Sequence, residues 1–371
     1  MQAWIAAHAG GTDAKNHVRL IFPPTSKIRI NTAIALGGTD MSHTTLWGHK
    51  ATSSAWIRGD ANAYPDPGAQ IIVAWDNYSP HNSAFAVGSR YRGYHNILWR
   101  QGGKDFVIRG FDIRGGNPNP GMYPGGGYEN GNALEYGMVS NVEFAYNRVQ
   151  GMGGDLVRFR MGRTGHVHHN YVLDTGRMGV TAVINYKDDI TLRSDHVVEY
   201  NTIDRVGYWG IDVEPEDEST SSLRKFDGLI VRYNRWGTFA SDSVGGGFAV
   251  IGGTASPDPN RHIADIEIYG NIIDGYGYGD YAGNKRDLWV IIAHRVSDPG
   301  VATGQDPRPQ DIVIRDNAVT HGATFSERGS WSRPLTAKYT DTLVIKDNDA
   351  NFSGDWADLT GSTDITESGN N

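Results

Sequence analysis

The chain of 371 residues has no cysteine. That removes disulfides, thiolate metal sites and cysteine nucleophiles together. It has no apolar run long enough to span a bilayer, so membrane insertion is not expected. It is short of basic charge, with 34 Lys and Arg against 42 Asp and Glu and a formal net charge of −8. Nucleic acid is therefore not an expected partner, because phosphate binding needs a basic surface. No secretory leader is visible, since Met1-Gln2-Ala3-Trp4-Ile5 carries neither a basic start nor a long apolar core. The expected setting is extracellular or virion-associated, either as an excised fragment or exported without a peptide.

What is present is glycine, 48 residues of it, a hydrophobic content of 39% and an aromatic content of 11%. A disordered chain is excluded at that hydrophobicity. The chain opens on a short helical pattern, with Ile5 and Ala9 on one face, Trp4 beside them and Gly10-Gly11 ending it. Val18-Arg19-Leu20-Ile21-Phe22 then reads as a strand stopped by Pro23-Pro24, and short strands follow at Ile28–Ile30, Ala33–Leu36 and Thr44–Trp47.

From about residue 104 a repeat emerges. Its segments include Phe106–Ile113, Val142–Val149, Val167–Val172, Val197–Ile203, Leu229–Trp236, Ile266–Ile273, Ile312–Val319 and Leu343–Asp349. An Asn recurs within them at positions 147, 170, 201, 234, 271, 317 and 348. The intervals run from 23 to 46 residues, too long and uneven for a sandwich of hairpins. A stack of coils explains them, the longer intervals carrying inserted loops. The Asn suits a bend that needs left-handed backbone, and its amide can bond its equivalent in the next coil. The expected architecture is all-β: one domain over 1–371, with a capping helix at 1–10, coils over 18–359 and a polar tail at 360–371.

Function in a solenoid is expected on a groove of outward residues walled by loops. Insertions are expected at 117–131, 214–226, 255–262 and 298–310. The floor between the first two holds Asp155, Arg158, Arg177, Lys187, Asp212 and Glu214, with Arg160, Arg163, Tyr186, Tyr208, Trp209 and Trp236 nearby. In Tyr208-Trp209-Gly210-Ile211-Asp212-Val213-Glu214-Pro215, strand alternation puts Asp212 and Glu214 on one face, their Cβ atoms about 7 Å apart. Glycoside cleavage needs one protonated and one ionised carboxyl, roughly 5–5.5 Å apart for retention and 6.5–9.5 Å for inversion. Asp212 and Glu214 are the expected catalytic pair, with Asp155 in reserve as acid or as partner to Arg158. Arg158, Arg177, Lys187 and Glu216 are expected to bind substrate, and Tyr208 and Trp209 to stack on it. The same carboxylates can alternatively hold Ca²⁺, and no other cofactor is expected. His168 and His169, being adjacent, are expected to point to opposite faces and so not to share a metal with His166.

These features together resemble the right-handed parallel β-helix, pectin-lyase-like superfamily. Within it, the leading helix, the strand ending at Phe22-Pro23 and the Asp212-Val213-Glu214-Pro215 strand resemble phage tailspike and minor tail proteins. The resemblance implies a polysaccharide partner and a trimer of the tailspike kind. It implies a hydrolase, a lyase, an epimerase or a non-catalytic adhesin, because this fold hosts all of them. The polygalacturonase motifs are absent. Tyr208–Asp212 is similar to the start of a mannuronan epimerase motif, but Val213-Glu214 stands where that motif continues with Pro-His. A histidine lost and a carboxylate gained favours a two-carboxylate hydrolase, with a lyase using Arg158, Arg177 or Lys187 as base second and a binding-only tail module third.

Overall fold

The computed structural model describes residues 2–13, 16–30, 34–37, 39–48, 68–73, 84–87, 103–115, 131–137, 139–160, 164–177, 179–184, 195–215, 224–237, 247–252, 261–273, 290–293, 309–319, 335–338, 340–349 and 356–370. Three sheets of 11, 9 and 10 strands, here sheets A, B and C, run through these residues, and all their recorded pairings are parallel. The chain visits A, then B, then C in each coil and returns to A beside its previous strand. Parallel crossovers between strands are right-handed almost without exception. The fold is a right-handed parallel β-helix.

Register in sheet A shows why the aliphatic repeat folds this way. Leu46, Ile108, Phe144, Val167, Val198, Val231, Ile268, Ile314 and Ile345 pair one above another, and all are buried. The residues directly before and after them on each strand point outward. Each coil thus buries its side chains against those above and below, which is how a repeat that cannot close a core alone becomes stable. The helix Gln2–His8 packs on the first strands of sheets A and C, and Ile5 is wholly buried in the shared core. No helix among the described residues is long and apolar enough to cross a membrane.

The recurring Asn residues lie between sheets A and B and are buried in a column. Asn201 is representative. Its Nδ2 donates to Asn234 Oδ1 at 3.0 Å, to Val167 O at 2.9 Å and to Glu199 O at 3.0 Å. Its Oδ1 accepts from the backbone N and the Nδ2 of Asn170, both at 2.9 Å. One amide therefore saturates backbone groups that the turn would otherwise leave buried and unmet. The column starts where Phe111 N donates to Asn147 Oδ1 and ends on Asn370.

That end corrects the expected tail. Thr363–Ser368 is a further sheet A strand paired with Asp341–Lys346, and Asn370 accepts from Asn348 Nδ2 at 3.0 Å. Its polar sequence hides it, because nearly all of its residues are exposed and need not be apolar. The left-handed residue also differs from expectation. It is the one before each Asn: Tyr146, His169, Tyr200 and Tyr233 have φ of 53–55°. The Asn follows the bend and uses its amide inward. Placed at successive bends, those four rings stack along the solenoid at centroid distances of 5.1, 5.3 and 5.4 Å. The stack stops at Gly270, where a Cβ would meet the Tyr233 ring at 2.6 Å. Because the rings cover one another's faces, they present edges to solvent. This stack is a structural ladder, not a sugar platform.

Inside the solenoid, Phe159, His196 and Phe226 stack nearly parallel, and Tyr136 Oη lies 2.7 Å from His196 Nδ1. Burial raises the Tyr136 phenol well above its ordinary pKa. Gly165 is required beneath it, since the Tyr136 hydroxyl fills the space of any Cβ there. Trp236, expected on the groove, is instead fully buried in the core and edge-on to Phe248. It ends the strand Arg235–Trp236 as Ile273 ends Ile272–Ile273 one coil later, and its side chain takes the inward place.

Asn201→Ala leaves several buried backbone groups unmet, each costing roughly 1–3 kcal/mol, so a loss of about 3–5 kcal/mol is expected in denaturant unfolding. Tyr200→Gly should stay within about 1 kcal/mol of wild type, because relief of left-handed strain offsets the lost ring contacts. A large loss from Tyr200→Gly with none from Asn201→Ala would assign the stability to the rings.

Candidate functional site on the outer face of sheet C

Three adjacent sheet C strands, Val157–Arg160, Val180–Ile184 and Trp209–Pro215, form the centre of the expected floor. Their inward residues include Val157, Val180 and Ile211, all fully buried in the core. Parity then sends the next residue of each outward. Register makes a row across the face: Glu135, Arg158, Thr181, Asp212 and Val250. These residues face away from the core, and yet all five are buried, Asp212 completely. A carboxylate placed there sits in a low-dielectric setting, which strengthens every charge interaction it makes.

Asp155 and Arg158 come together as a buried pair, Arg158 Nε to Asp155 Oδ2 at 2.8 Å. The reserve carboxylate and the expected substrate cation thus hold each other. Asp155 N donates to Asn132 Oδ1 at 2.9 Å, and Asn132 Nδ2 donates to Glu135 Oε2 at 3.3 Å. This network of Asn132, Glu135, Asp155 and Arg158 fixes the floor one coil before Thr181. Arg177 lies on the turn above it, where its backbone N donates to Gly154 O at 3.3 Å. Its Nε is buried without a hydrogen-bond partner among the described residues, as is Thr181 Oγ1.

On the other flank, Trp209 and Val250 form a small apolar cluster with half-buried Tyr208 packed against it. The Tyr208 and Trp209 rings meet edge-on at 5.9 Å. Val250 is the register partner of Asp212, so this patch adjoins the carboxylate. Glu214 pairs with Val183 two residues along the same strand. The Glu214 side chain, Lys187 and Glu216 lie outside the described residues, as do Arg163, Tyr186 and most of the expected insertions.

Two polar members of the row, Glu135 and Thr181, were missed in the sequence. Glu135 sits in the three-residue strand Leu134–Tyr136, too short to show alternation, and Thr181 looks like any strand threonine. Only register against Arg158 and Asp212 distinguishes them. At the bend before this face, Asp174 is buried and pairs with Arg205 Nε at 2.8 Å. Burial outweighs that cation and raises the Asp174 carboxyl to about 6.

The histidines stand elsewhere, on sheet A. His166 and His168 share its outer face with ring centroids 4.0 Å apart. His169 was expected to point away from His168, but its left-handed φ of 53° swings it round, and the two Nδ1 atoms are 2.8 Å apart. Glu199 contacts His166 Nε2 at 2.8 Å and Arg232 Nε at 2.6 Å. Burial works against the Glu199 charge, yet those two partners hold its pKa below the ordinary value. Among the described residues, no three His, Asp or Glu side chains are grouped to hold a metal.

No protein-family model matches the sequence, and no curated protein does. Solved structures do match in shape. The surface protein and adhesin PfbA of Streptococcus pneumoniae superposes with a TM-score of 0.55, at 12% identity over 99% of this chain and 90% of that one. The chain has the fold of the parallel β-helix proteins. DFA-IIIase from Arthrobacter chlorophenolicus A6, without its lid, gives a TM-score of 0.52 at 13% identity, over 99% of this chain and 82% of that one. An adhesin and an enzyme thus share the coil stack with this β-helix, and the likeness speaks to fold alone.

Arg158→Met strands the buried Asp155 carboxylate, and a loss of about 3–5 kcal/mol is expected in unfolding experiments. Asp155→Asn combined with Arg158→Met should recover part of that loss. A neutral single variant would remove the pair from the framework of this face.

Proposed function

We propose that the protein acts on polysaccharide along the outer face of sheet C, as a glycoside hydrolase of a cell-surface or capsular glycan. The reading places it outside the cell or on a virion, where such glycans are met. The observation that carries it is the buried Asp212 carboxylate on an outward row, between the Thr181 hydroxyl and the Tyr208–Trp209–Val250 patch. A sugar ring offers exactly such complementary surfaces, with apolar C–H faces for an aromatic wall and hydroxyls for carboxylates.

In this reading Asp212 and Glu214 divide the chemistry. One carboxyl, protonated, gives its proton to the glycosidic oxygen as the C–O bond breaks. The other, ionised, either attacks the anomeric carbon or takes a proton from the attacking water. Water ends on the anomeric carbon and the leaving sugar keeps the donated proton. Thr181 Oγ1 and Arg177 Nε supply hydrogen bonds to substrate oxygens, and half-buried Tyr208, backed by buried Trp209, holds a ring against the face. Asp155 and Arg158, already joined, keep the floor rigid beneath. The pairing also argues against Arg158 as the base of an eliminating lyase, because a guanidinium held by a carboxylate gives up its proton less readily.

The test is incubation with a panel of bacterial envelope glycans, with the product masses measured. Hydrolysis adds one water per cut. Asp212→Asn should lower kcat about 10²- to 10⁴-fold, the usual worth of a positioned acid or base, and Trp209→Ala should mainly raise KM. Products carrying a new double bond without added water would contradict the hydrolase reading, as would full activity in Asp212→Asn.

A further inference from the structure

Sheet A carries a concavity that takes no part in the chemistry proposed for sheet C. A cleft of about 570 Å³ opens on its outer face in the first coils, with Arg19, Trp47, Arg109, Glu143, His17 and Thr45 among its lining. The register that builds it is plain. Arg19 pairs with Thr45, Thr45 with Val107, and Val107 with Glu143, while Trp47 pairs with Arg109 in the next outward row. The cleft therefore crosses four coils and gathers side chains from each.

One of its cations lies over the indole and the other over a neighbouring tyrosine. The Arg19 guanidinium lies 5.9 Å from the centroid of the Trp47 ring, and that of Arg109 lies 5.2 Å from Tyr146. Arg19 is exposed, and Arg109 and Trp47 are half-buried. Glu143 sits at the far side with His168 Nε2 at 3.6 Å, and the bond to His168 lowers its carboxyl pKa. Burial lowers the pKa of His17 from its ordinary value of 6.5, so that imidazole is mainly neutral at pH 7. Two guanidinium cations and one ionised carboxylate leave the cleft with an excess of one positive charge. That balance suits a monoanion. A phosphate dianion would meet Glu143 with too little positive charge to offset the repulsion.

The remaining chemistry selects among monoanions. A half-buried indole offers a flat apolar wall of the size of one pyranose ring. Guanidinium groups at its margin bind a planar carboxylate by paired N–H donors. The Glu143 carboxylate accepts hydrogen bonds from hydroxyls, which a simple organic acid lacks. We propose that this sheet A cleft binds a uronic acid residue of a glycan, its ring on Trp47, its carboxylate on Arg19 and Arg109 and a hydroxyl on Glu143. The cleft is then an anchoring site on a different side of the solenoid from sheet C. It lets an acidic chain be held by one face while another part of it reaches the second. It does not depend on the reaction proposed above, and it stands equally for a protein that only binds.

Ligand-observed NMR with D-glucuronic acid as probe, and D-glucose as its neutral counterpart, tests the inference. Wild type and Asp212→Asn should show saturation transfer to glucuronate. Trp47→Ala and Arg109→Ala should each weaken that binding about tenfold or more, the worth of one charge-assisted contact. Arg19→Ala, on an exposed side chain, should do the same without risk to folding, and circular dichroism checks all four variants. None of the three cleft variants should change cleavage by the sheet C face of a neutral glycan, which the cleft does not hold. Absence of glucuronate binding in wild type, binding insensitive to all three substitutions, or equal binding of glucose would overturn the proposal. Loss of binding in Asp212→Asn alone would place the carboxylate site on sheet C and overturn it as well.

Discussion

The buried asparagine column is the constraint on which the remaining structure depends. A coil of this solenoid has no hydrophobic core of its own, so its position is set by its neighbours. Aliphatic stacking supplies most of the energy, but it tolerates slippage, since one buried Val or Ile resembles another. A saturated amide does not. Each Asn meets backbone groups in its own and adjacent coils, and a shift of one residue would break several bonds in a place without water. The column thereby fixes the turn between sheets A and B, and with it the parity of the strands it joins. Which residues face outward follows from that parity.

Two outward faces acquire chemical character in consequence. On sheet C, register lines up Glu135, Arg158, Thr181 and Asp212 from four different coils, none of which would be neighbours without it. On sheet A, the same principle brings Arg19, Trp47, Arg109 and Glu143 to one cleft, and His166, Glu199 and Arg232 to one hydrogen-bonded run. The faces differ in how their charges are spent. On sheet C the Arg158 cation is locked to Asp155 in a buried pair, which suits a rigid floor under an acid. In the sheet A cleft the Arg19 guanidinium stays exposed beside an aromatic plane, which suits capture of an anion.

The fold was legible because its signals are local and repeated. Val, Ile and Leu at alternate positions and an Asn at each bend mark a coil wherever they recur. The site was legible only in part. Asp212 and Glu214 on one face follow from strand alternation alone. The Asp155–Arg158 pair was open as an alternative, because an i,i+3 spacing across a bend does not fix its geometry. Glu135 and Thr181 were invisible, since their meaning lies in pairing across coils rather than along the chain. The convergence of His168 and His169 was misjudged for a related reason. Alternation fails at a left-handed residue, and no composition rule marks His169 as one when glycine and asparagine are the usual occupants. The last strand was read as a tail because nearly all of its residues are exposed and so need not be apolar.

The central claim is that glycan lies along the outer face of sheet C, over Thr181 and Asp212. A crystal structure of the Asp212→Asn protein soaked with the longest oligosaccharide it retains would test that most directly. The expected result is a sugar ring against Tyr208 and Trp209, with hydroxyls within hydrogen-bond reach of Thr181 Oγ1 and residue 212. Sugar density bound only on another face, with the sheet C row left uncontacted, would contradict it.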